Sequence, residues 1–255
     1  LPTTCGSPVP QNGQPNMLAL DLQADQGQYL TGPYHPCLAF AGASFTLEAW
    51  VKLHTVADGR GPEDRAWLMV RKELGESDDS IEYAFLVQMG AAAHADNAFG
   101  KAVDLTGNEI GVILGDAADA GQWALISHLE ITDTNWHFVS VAVDVDAQQA
   151  RLTVDEFVDE FVFEDQGHTF NQGPLIIGAH PNSQGNIESP LDASIDEIRV
   201  SRGVVPLDEL LAEVGTGGGW PTVDYTLDFG TAVPDSGVQT LTFQVVNDGL
   251  EGCYS

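Results

Sequence analysis

Short runs of β-branched and aromatic residues recur along most of the chain, and turn residues separate most of them. The runs are Leu18–Leu22, Phe45–Leu53, Trp67–Lys72, Tyr83–Gln88, Glu109–Leu114, Trp123–Glu130, Trp136–Val145, Ala150–Val154, Phe157–Phe163, Leu175–Ile177 and Ile195–Val200. Each has the length and composition of a strand, and no long helical pattern lies between them. The chain is therefore predicted to be an all-β sandwich of two antiparallel sheets.

Alternation within the runs predicts which side chains face the core. In Phe45–Leu53 the odd-numbered residues are all apolar, whereas the even-numbered ones are polar apart from Trp50. In Trp136–Val145, valine recurs at every second position from residue 139. One stretch departs from this period: the apolar residues of Pro206–Val214 follow helical spacing, which predicts a short helix.

The charge balance limits the possible partners. The 255 residues include 38 acidic and 9 basic ones, which gives a formal net charge of −29. Such a surface repels nucleic acid and anionic lipid, so we exclude both as direct partners. It suits divalent cations, basic partners or a saline medium. No stretch reaches the ~20 apolar residues that span a membrane. We expect an extracellular or cell-surface location, with any signal peptide already removed.

Proline and glycine content indicates the domain organisation. Residues 1–16 contain four prolines and predict an extended tether. Residues 17–213 contain the strand runs and form the main domain. The glycine-rich stretch 214–219 predicts a linker, and residues 220–255 follow it as a short C-terminal β appendage.

Three cysteines allow one disulfide and one free thiol. Cys5 and Cys253 lie near the two ends of the chain, and chain termini often lie close together in compact domains. A Cys5–Cys253 bridge with Cys37 free is therefore the preferred pairing, although the spacing alone does not decide it.

Three segments together resemble the laminin-G-like branch of the concanavalin A-like sandwiches over residues 17–213. They are Phe45–Lys52, Trp136–Asp144 and Ser194–Ser201. The resemblance implies a jelly-roll that binds a ligand at its loops and performs no catalysis. Within residues 220–255, two further stretches, Thr226–Gly230 and Gln239–Gly249, resemble the first strands of an ASPM/SPD-2/Hydin-type immunoglobulin-like repeat. Such a domain needs about seven strands, so these residues either belong to a longer polypeptide, complete another sheet, or fold onto the sandwich.

The same resemblance implies a calcium site. In the family, an aspartate of the final strand commonly holds calcium together with groups from the N-terminal strand region. Asp196 matches that aspartate, but the usual Asp-Gly after the first strand is replaced by Gln23-Ala24. The residues implied as calcium ligands are Asp196, Asp21 or Asp25, and the carbonyl near Gly42. Alternatively, Asp196 caps a β-bulge, because Ile195 and Ile198 cannot share one face of a regular strand.

A glycoside hydrolase is the weaker alternative. Related sandwiches carry Glu-x-Asp-x-x-Glu on one strand, and the nearest match here is Glu76–Glu82, in which the last glutamate is one residue too far. No zinc spacing, serine elbow or phosphate loop occurs. We therefore expect no enzymatic activity.

Exposed aromatic residues and long loops are the usual elements of a binding surface. Trp50 and Trp123 are candidate sugar platforms, although core packing is the safer expectation for each tryptophan. The binding surface is predicted near residues 90–108 and 54–65.

These observations favour a non-catalytic, calcium-stabilised recognition or adhesion module of a larger bacterial surface protein, with a glycan or an extracellular protein as partner. The alternative is a structural building block of an extracellular filament or sheath, assembled through its terminal segments.

Overall fold

A computed structural model describes residues 19–40, 42–56, 65–90, 98–99, 106–116, 121–163, 171–211 and 225–226. The strands, in chain order, are β1 (Leu20–Leu22), β2 (Leu30–Gly32), β3 (Phe45–Leu53), β4 (Ala66–Lys72), β5 (Ile81–Gln88), β6 (Ala98–Phe99), β7 (Glu109–Asp116), β8 (Gly121–Glu130), β9 (His137–Asp144), β10 (Gln149–Val154), β11 (Phe157–Val162), β12 (Leu175–Ile177), β13 (His180–Pro181), β14 (Ile187–Glu188), β15 (Ala193–Arg202) and β16 (Tyr225–Thr226). The helical residues of this part of the chain are Leu211 and the short 3-10 turns Ala24–Gln26, Pro36–Leu38, Asp78–Ser80 and Leu207–Glu209.

Two sheets form the sandwich. The first has the strand order β1-β15-β3-β9-β10-β11, with β16 also paired to β15, and the second has the order β2-β12-β4-β5-β7-β8-β6. All of these pairs are antiparallel except the short parallel contact of β6 with β8. The predicted all-β, two-sheet fold is confirmed. Four short strands, β2, β6, β13 and β14, were not predicted, because their two or three residues carry little alternation.

The main core lies between the two sheets. All odd-numbered residues of β3 are buried there, as the alternation predicted, and the valines of β9 lie beside them in register. The second sheet contributes Tyr83 and Phe85 of β5 to the same core. The period-2 pattern therefore identified the inner face of the first sheet correctly.

The outer face of β3 is buried as well, which alternation did not predict. Trp50 is only 5% exposed, and its ring lies 5.7 Å from that of Phe138. Val205, Leu210 and Leu211 pack against this pair. The chain after β15 therefore folds back over the first sheet and covers it.

The continuous helix predicted over Pro206–Val214 is wrong in its described part, 206–211, where the 3-10 turn Leu207–Glu209 ends before Leu210 and Leu211 is again in 3-10 conformation. The reason is competition for the backbone groups of this segment. The Leu211 N–H donates to Glu48 Oε1 at 2.9 Å, and Arg199 Nη2 donates to the last carbonyl of the turn at 2.8 Å. These bonds from the sheet satisfy groups that a helix would have bonded internally.

Arg199 and Glu48 form an ion pair beneath that covering segment. Arg199 Nε donates to Glu48 Oε2 at 2.5 Å, and the two side chains are 1% and 0% exposed. A buried charge without its partner is strongly destabilising, so each side chain requires the other. The pair joins β15, β3 and the segment that covers them.

Most of the predicted terminal segments lie outside the described residues. These are the tether 1–16, the linker 214–219 and both cysteines of the predicted Cys5–Cys253 bridge. Of residues 220–255 only β16 is described, and it pairs with Arg199 and Val200 of β15. The immunoglobulin-like repeat stays a prediction.

His137 holds together the two ends of the β9–β10 hairpin. Its Nδ1 lies 2.8 Å from Asp155 Oδ2, and its Nε2 lies 3.0 Å from Asp133 Oδ1. The hydrogen bond to Asp155 raises the pKa of His137 above its ordinary 6.5, and the bond to Asp133 acts in the same direction. Together they outweigh burial, which alone would lower that pKa.

The first prediction concerns the buried ion pair. Glu48→Gln removes the carboxylate to which the buried Arg199 Nε–H donates and should cost about 3–5 kcal/mol of unfolding free energy, measured by urea denaturation. The double variant Glu48→Leu/Arg199→Met should recover part of that loss. Arg202→Met, on the exposed end of the same strand, should change stability by less than about 0.5 kcal/mol. Equal effects of Glu48→Gln and Arg202→Met would contradict the assignment.

The second prediction follows from the raised pKa of His137. The stabilisation is fully present below the unfolded pKa of 6.5 and is lost as the pH rises through the higher folded value. The melting temperature of His137→Gln should therefore fall further below wild type at pH 5.5 than at pH 9. The matched control is His128→Gln, because His128 contacts the single carboxylate Asp159. A deficit for His137→Gln that does not vary with pH would refute the linkage.

Candidate functional site

The loops predicted to carry the binding surface lie largely outside the described residues, which omit 57–64, 91–97 and 100–105. The tryptophans within the described part serve the interior instead. Trp50 and Trp67 are buried, and Trp136 packs beside the Trp50 cluster. The core-packing interpretation is confirmed for Trp50 and Trp67, and neither offers an open ring to a sugar. The Trp123 side chain lies outside the description.

Trp67 lies in a closed cluster of aromatic and charged groups. Its ring stacks on His180 at 4.2 Å, and Arg65 lies over it at 5.8 Å. Lys72 Nζ donates to Asp78 Oδ1 at 2.6 Å, and His180 Nε2 lies 3.1 Å from the same oxygen. Burial alone would raise the pKa of Asp78, but its contacts with His180 and Lys72 hold that pKa well below its usual range. Asp78 is thus the carboxylate on which the Lys72 and His180 contacts of this cluster meet.

Tyr34 presents an aromatic ring to solvent at the edge of the second sheet. It is 37% exposed, and the Arg71 guanidinium carbon lies 5.1 Å from the ring centroid. One region of the ring is therefore held by a cation–π contact while part of the ring stays accessible. Phe157 on β11 is another exposed aromatic residue, at 60%, but it has no such support among the described contacts.

The support beneath Tyr34 is rigid because Arg71 is fully buried and bonded on two sides. Its Nε donates to Glu82 Oε2 at 2.7 Å, and its Nη2 donates to the Asn171 carbonyl at 2.9 Å. Glu82 Oε1 in turn accepts the Phe40 N–H at 2.6 Å. Among the described residues, Arg71 Nη1 has no hydrogen-bond partner. The guanidinium plane is thus fixed before any ligand arrives.

Local sequence explains how the platform is built. Tyr34 lies two residues beyond β2, between Pro33 and Pro36, whose fixed φ angles favour an extended loop. Gly32 shares a rung of the sheet with Leu175 and Arg71, so the loop begins beside the guanidinium. The platform was missed because β2 is too short to be recognised, although Gly-Pro-Tyr-His-Pro itself marks a constrained aromatic loop.

Three of the predicted calcium ligands lie toward one end of the first sheet. Asp21 pairs with Ser194, Asp196 lies two residues further along β15 on the same face, and Asp25 is in the turn after β1. Gly42, with φ +88°, precedes the far end of β3, and the nine residues of that strand span about 26 Å. Gly42 therefore cannot share an ion with Asp21, because its place before β3 puts it at the opposite end of the sheet.

The bulge interpretation of Asp196 is confirmed. The register of β15 against β3 shifts between Asp196 and Arg199, and Glu197 adopts a φ of +49°. Asp196 Oδ1 accepts the Glu197 N–H at 2.8 Å. The extra residue turns Ile195 and Ile198 both toward the core. This structural role leaves calcium binding by Asp196 as a proposal.

A second polar cluster surrounds His54, directly after β3. His54 Nδ1 lies 3.1 Å from Asp192 Oδ1, and its Nε2 lies 3.1 Å from Ser194 Oγ and 3.0 Å from Asp21 Oδ1. Ser194 Oγ donates to the same Asp21 oxygen at 3.0 Å. Serine, histidine and aspartate are thus in contact, but the Asp21 carboxylate beside the hydroxyl opposes formation of an alkoxide. Sequence reasoning identified Asp21 and missed His54 and Ser194.

The carboxylates of the hydrolase-like match do not converge. Glu76 is exposed in a turn, Asp78 belongs to the Trp67 cluster, and Glu82 is buried against Arg71. A glycosidase needs two carboxyl groups that face one another across a groove about 5–10 Å wide. Here Glu76 is exposed, whereas Asp78 and Glu82 pair with two different basic residues, Lys72 and Arg71.

Three of the 9 basic residues are buried inside the sandwich. Arg71, Lys72 and Arg199 are at most 1% exposed and bonded to carboxylates or carbonyls. Arg60 and Lys101 lie outside the described residues. Three glutamates, Glu48, Glu82 and Glu109, are buried as well, so burial removes equal numbers of both charges and the surface keeps the acidic balance of the chain. No helix of the described part is long and apolar enough to cross a membrane.

Comparison with solved structures supports the fold. The chain is similar to the CBM40 of Ruminococcus gnavus IT-sialidase bound to α2,3-sialyllactose, with a TM-score of 0.50 and 14% identity over 68% of this chain and 83% of that one. It is also similar to a protein of proposed carbohydrate-binding function from Bacteroides ovatus, with a TM-score of 0.53 and 14% identity over 87% of this chain and 55% of that one.

A search of curated protein sequences finds no match to the chain. A family model gives the assignment instead: the laminin-G-like model described as concanavalin A-like lectin/glucanases superfamily matches residues 24–210. That match covers well over half of the 255 residues. The protein therefore belongs to the concanavalin A-like lectin/glucanases superfamily.

Proposed function

We propose that this chain is a non-catalytic, lectin-like module that binds a glycan at the Tyr34 platform. The observation that carries the proposal is the exposed Tyr34 ring held over the buried Arg71 guanidinium at 5.1 Å. Sugar rings present apolar C–H faces that pack on such aromatic surfaces, and a ring fixed in advance loses little entropy on binding. Membership of a superfamily of lectins and glucanases supports this class of ligand.

The charge distribution selects the chemical class of the glycan. Arg71 beneath the platform is neutralised by Glu82 and is itself 0% exposed, so it offers no pairing to an acidic sugar. The surrounding surface of a chain with 38 acidic residues repels anions. The ligand we propose is therefore a neutral or amino-substituted glycan, unlike the sialyllactose bound by the Ruminococcus gnavus module.

The setting of the module is part of the proposal. An extracellular or cell-surface location in a larger bacterial protein fits a glycan partner and an acidic surface, and calcium bound by Asp196 together with Asp21 or Asp25 would stabilise the first sheet. A structural building block is the second candidate. It is supported by the pairing of β16 with β15, since a terminal strand that adds to a sheet can also add to that of a neighbouring copy.

The third prediction tests glycan binding. The full chain should bind neutral or amino-substituted oligosaccharides on a glycan array and not sialyllactose. Tyr34→Ala should lower the affinity about tenfold, which corresponds to ~1.4 kcal/mol, as measured by isothermal titration calorimetry. Tyr34→Phe should retain most of the affinity, because the ring is kept. Phe157→Ala removes another exposed aromatic ring and serves as the matched control, with no change expected.

Two outcomes of that experiment would overturn the proposal. One is binding restricted to acidic glycans, and the other is binding that is unaffected by Tyr34→Ala. Concentration-dependent self-association without any glycan binding, measured by size-exclusion chromatography with light scattering, would favour the structural alternative.

The fourth prediction concerns calcium. At about 100 times the dissociation constant, calcium that binds only the folded state should add about 2.7 kcal/mol of stability, so chelation should lower the melting temperature. Asp196→Asn should remove this sensitivity while its amide oxygen can still accept the Glu197 N–H of the bulge. Asp208→Asn, at an exposed acidic position, is the control. Identical melting with and without chelator would leave Asp196 with its role in the bulge alone.

A further inference from the structure

Glu73 places a carboxylate at the same edge of the second sheet as the Tyr34 ring. The short segment from Asn171 to Gly173 connects the two. At one end of it, the Asn171 carbonyl accepts Arg71 Nη2 beneath the Tyr34 ring, at 2.9 Å. At the other end, Gly173 lies so close to Glu73 that a Cβ atom added to it would be 2.6 Å from the Glu73 backbone nitrogen. The ring and the carboxylate therefore flank one piece of chain.

Strand pairing gives the separation of the two groups. Gly32, Leu175 and Arg71 share one rung across β2, β12 and β4, and β2 and β4 run in the same direction. Tyr34 and Glu73 each follow that rung by two positions. Because neighbouring strands lie about 4.8 Å apart, the two backbones are about 10 Å apart. Protein groups that act on one glycosidic bond from two sides are about 5–10 Å apart, so the gap fits one sugar unit.

The carboxylate of Glu73 is available to a ligand. Its Oε1 accepts the Gln172 N–H at 3.3 Å, which is long for such a bond. The neighbouring cation, Lys72, donates instead to Asp78 and to the Pro181 carbonyl. Among the described residues no ion pair includes Glu73. The side chain is thus oriented by one backbone donor but not neutralised.

Exposed apolar surface continues beyond the carboxylate. Leu74 follows Glu73 directly and is 53% exposed, whereas most large apolar side chains of the described residues are buried. Sites for small ligands combine apolar surface with a few polar groups that fix orientation. Tyr34, Glu73 and Leu74 form such a combination, with the carboxylate between two apolar groups.

Tyr34 and Glu73 suit different parts of a sugar. Arg71 already occupies one face of the Tyr34 ring as a cation–π partner, so the ring attracts a further cation less than an unpaired ring would. Its open face therefore suits the apolar C–H face of a sugar. A carboxylate, in contrast, binds an ammonium group strongly and repels an acidic substituent.

We propose that Glu73 makes the Tyr34 platform selective for hexosamine units that carry a free, protonated amine. The sugar ring packs on Tyr34 while its ammonium group donates to the Glu73 carboxylate. This inference rests on the proposed function and narrows it, because an N-acetylated or unsubstituted sugar gains nothing from the carboxylate. Glu73 is therefore the residue that determines specificity.

The test compares β-1,4-linked glucosamine oligomers with their N-acetylated counterparts. The full chain is titrated with each at pH 6 and about 150 mM salt, which screens general attraction to an acidic surface. The wild-type chain should bind the free amine roughly fivefold more tightly, the upper range for an exposed ion pair. Glu73→Gln keeps an acceptor for the Gln172 N–H and should remove this preference without changing the affinity for the N-acetylated oligomer. Glu76→Gln, at an exposed glutamate of the following turn, is the matched control and should retain it.

The preference should also depend on the charge of the sugar. Amines beside electron-withdrawing groups lose their proton at about pH 8, as α-amino groups do. At pH 9 the wild-type chain should therefore bind both oligomers alike, whereas a loss of folding would lower both affinities at any pH. Melting curves establish that each variant is folded.

The possible outcomes separate this inference from the proposed function. Equal, Tyr34-dependent binding of both oligomers at pH 6 would overturn the inference and leave the proposed function standing, whereas no binding of either would overturn both. Equal losses of preference in Glu73→Gln and Glu76→Gln would show that general surface charge is recognised, which also overturns the inference. So would tetralysine that competes as well as a glucosamine tetramer.

Discussion

The buried pair of Arg199 and Glu48 is the interaction on which the arrangement of the first sheet depends. It joins neighbouring strands and also bonds the backbone of the segment that covers them, through the Leu211 N–H and a carbonyl of the preceding turn. Desolvating two charges is expensive, and the structure offsets that cost by satisfying the pair from several directions. The covering segment then buries Trp50 and Phe138, so a sheet face that would otherwise meet water becomes a second small core.

The burial of basic side chains limits which ligands the surface can recognise. Arg71, Lys72 and Arg199 are committed to interior partners in a chain with only 9 basic residues. Recognition of an anionic ligand would need free guanidinium or ammonium groups, and the described surface offers few. What the surface does offer is carboxylates, which attract cations, and an aromatic ring, Tyr34, which Arg71 supports from below. In the function we propose, a buried cation acts indirectly, by fixing the aromatic ring that binds the glycan.

Much of the fold could be predicted from sequence because the sandwich is built from period-2 alternation. The bounds of β3 and β12 and the inner face of β3 agree with the pattern, and so does the register break at Asp196 that Ile195 and Ile198 require. Core packing was the expectation for Trp50, but what covers it could not be predicted, since the cover is a segment more than 150 positions later that folds back across the sheet. The helical spacing after residue 206 predicted a helix that does not form in the described residues. Hydrogen bonds from Glu48 and Arg199 to this segment outweigh its weak local preference for helix.

The candidate sites depend even more on long-range register. Asp21, His54 and Ser194 meet only because β1 and β3 flank β15 with Asp21 and Lys52 both opposite Ser194, and no local spacing reveals that alignment. Gly42 was wrongly included among the predicted calcium ligands because strand direction was unknown. The direction of β3 puts Gly42 at the end of the sheet opposite to Asp21. Residue type indicated which chemistry each side chain can perform, and strand pairing decided which side chains lie close enough to act together.

Arg71 and Arg199 serve the interior of this acidic chain, and the side-chain Nε–H signals of arginine in a ¹⁵N-labelled sample test this most directly. The Nε–H groups of Arg71 and Arg199 each donate to a buried carboxylate. Their resonances should therefore persist at pH 8 and exchange slowly with water, while that of exposed Arg202 should be lost to exchange. If no arginine Nε–H resists exchange, the guanidinium groups are not interior, and the account of both the covered sheet and the supported Tyr34 ring is contradicted.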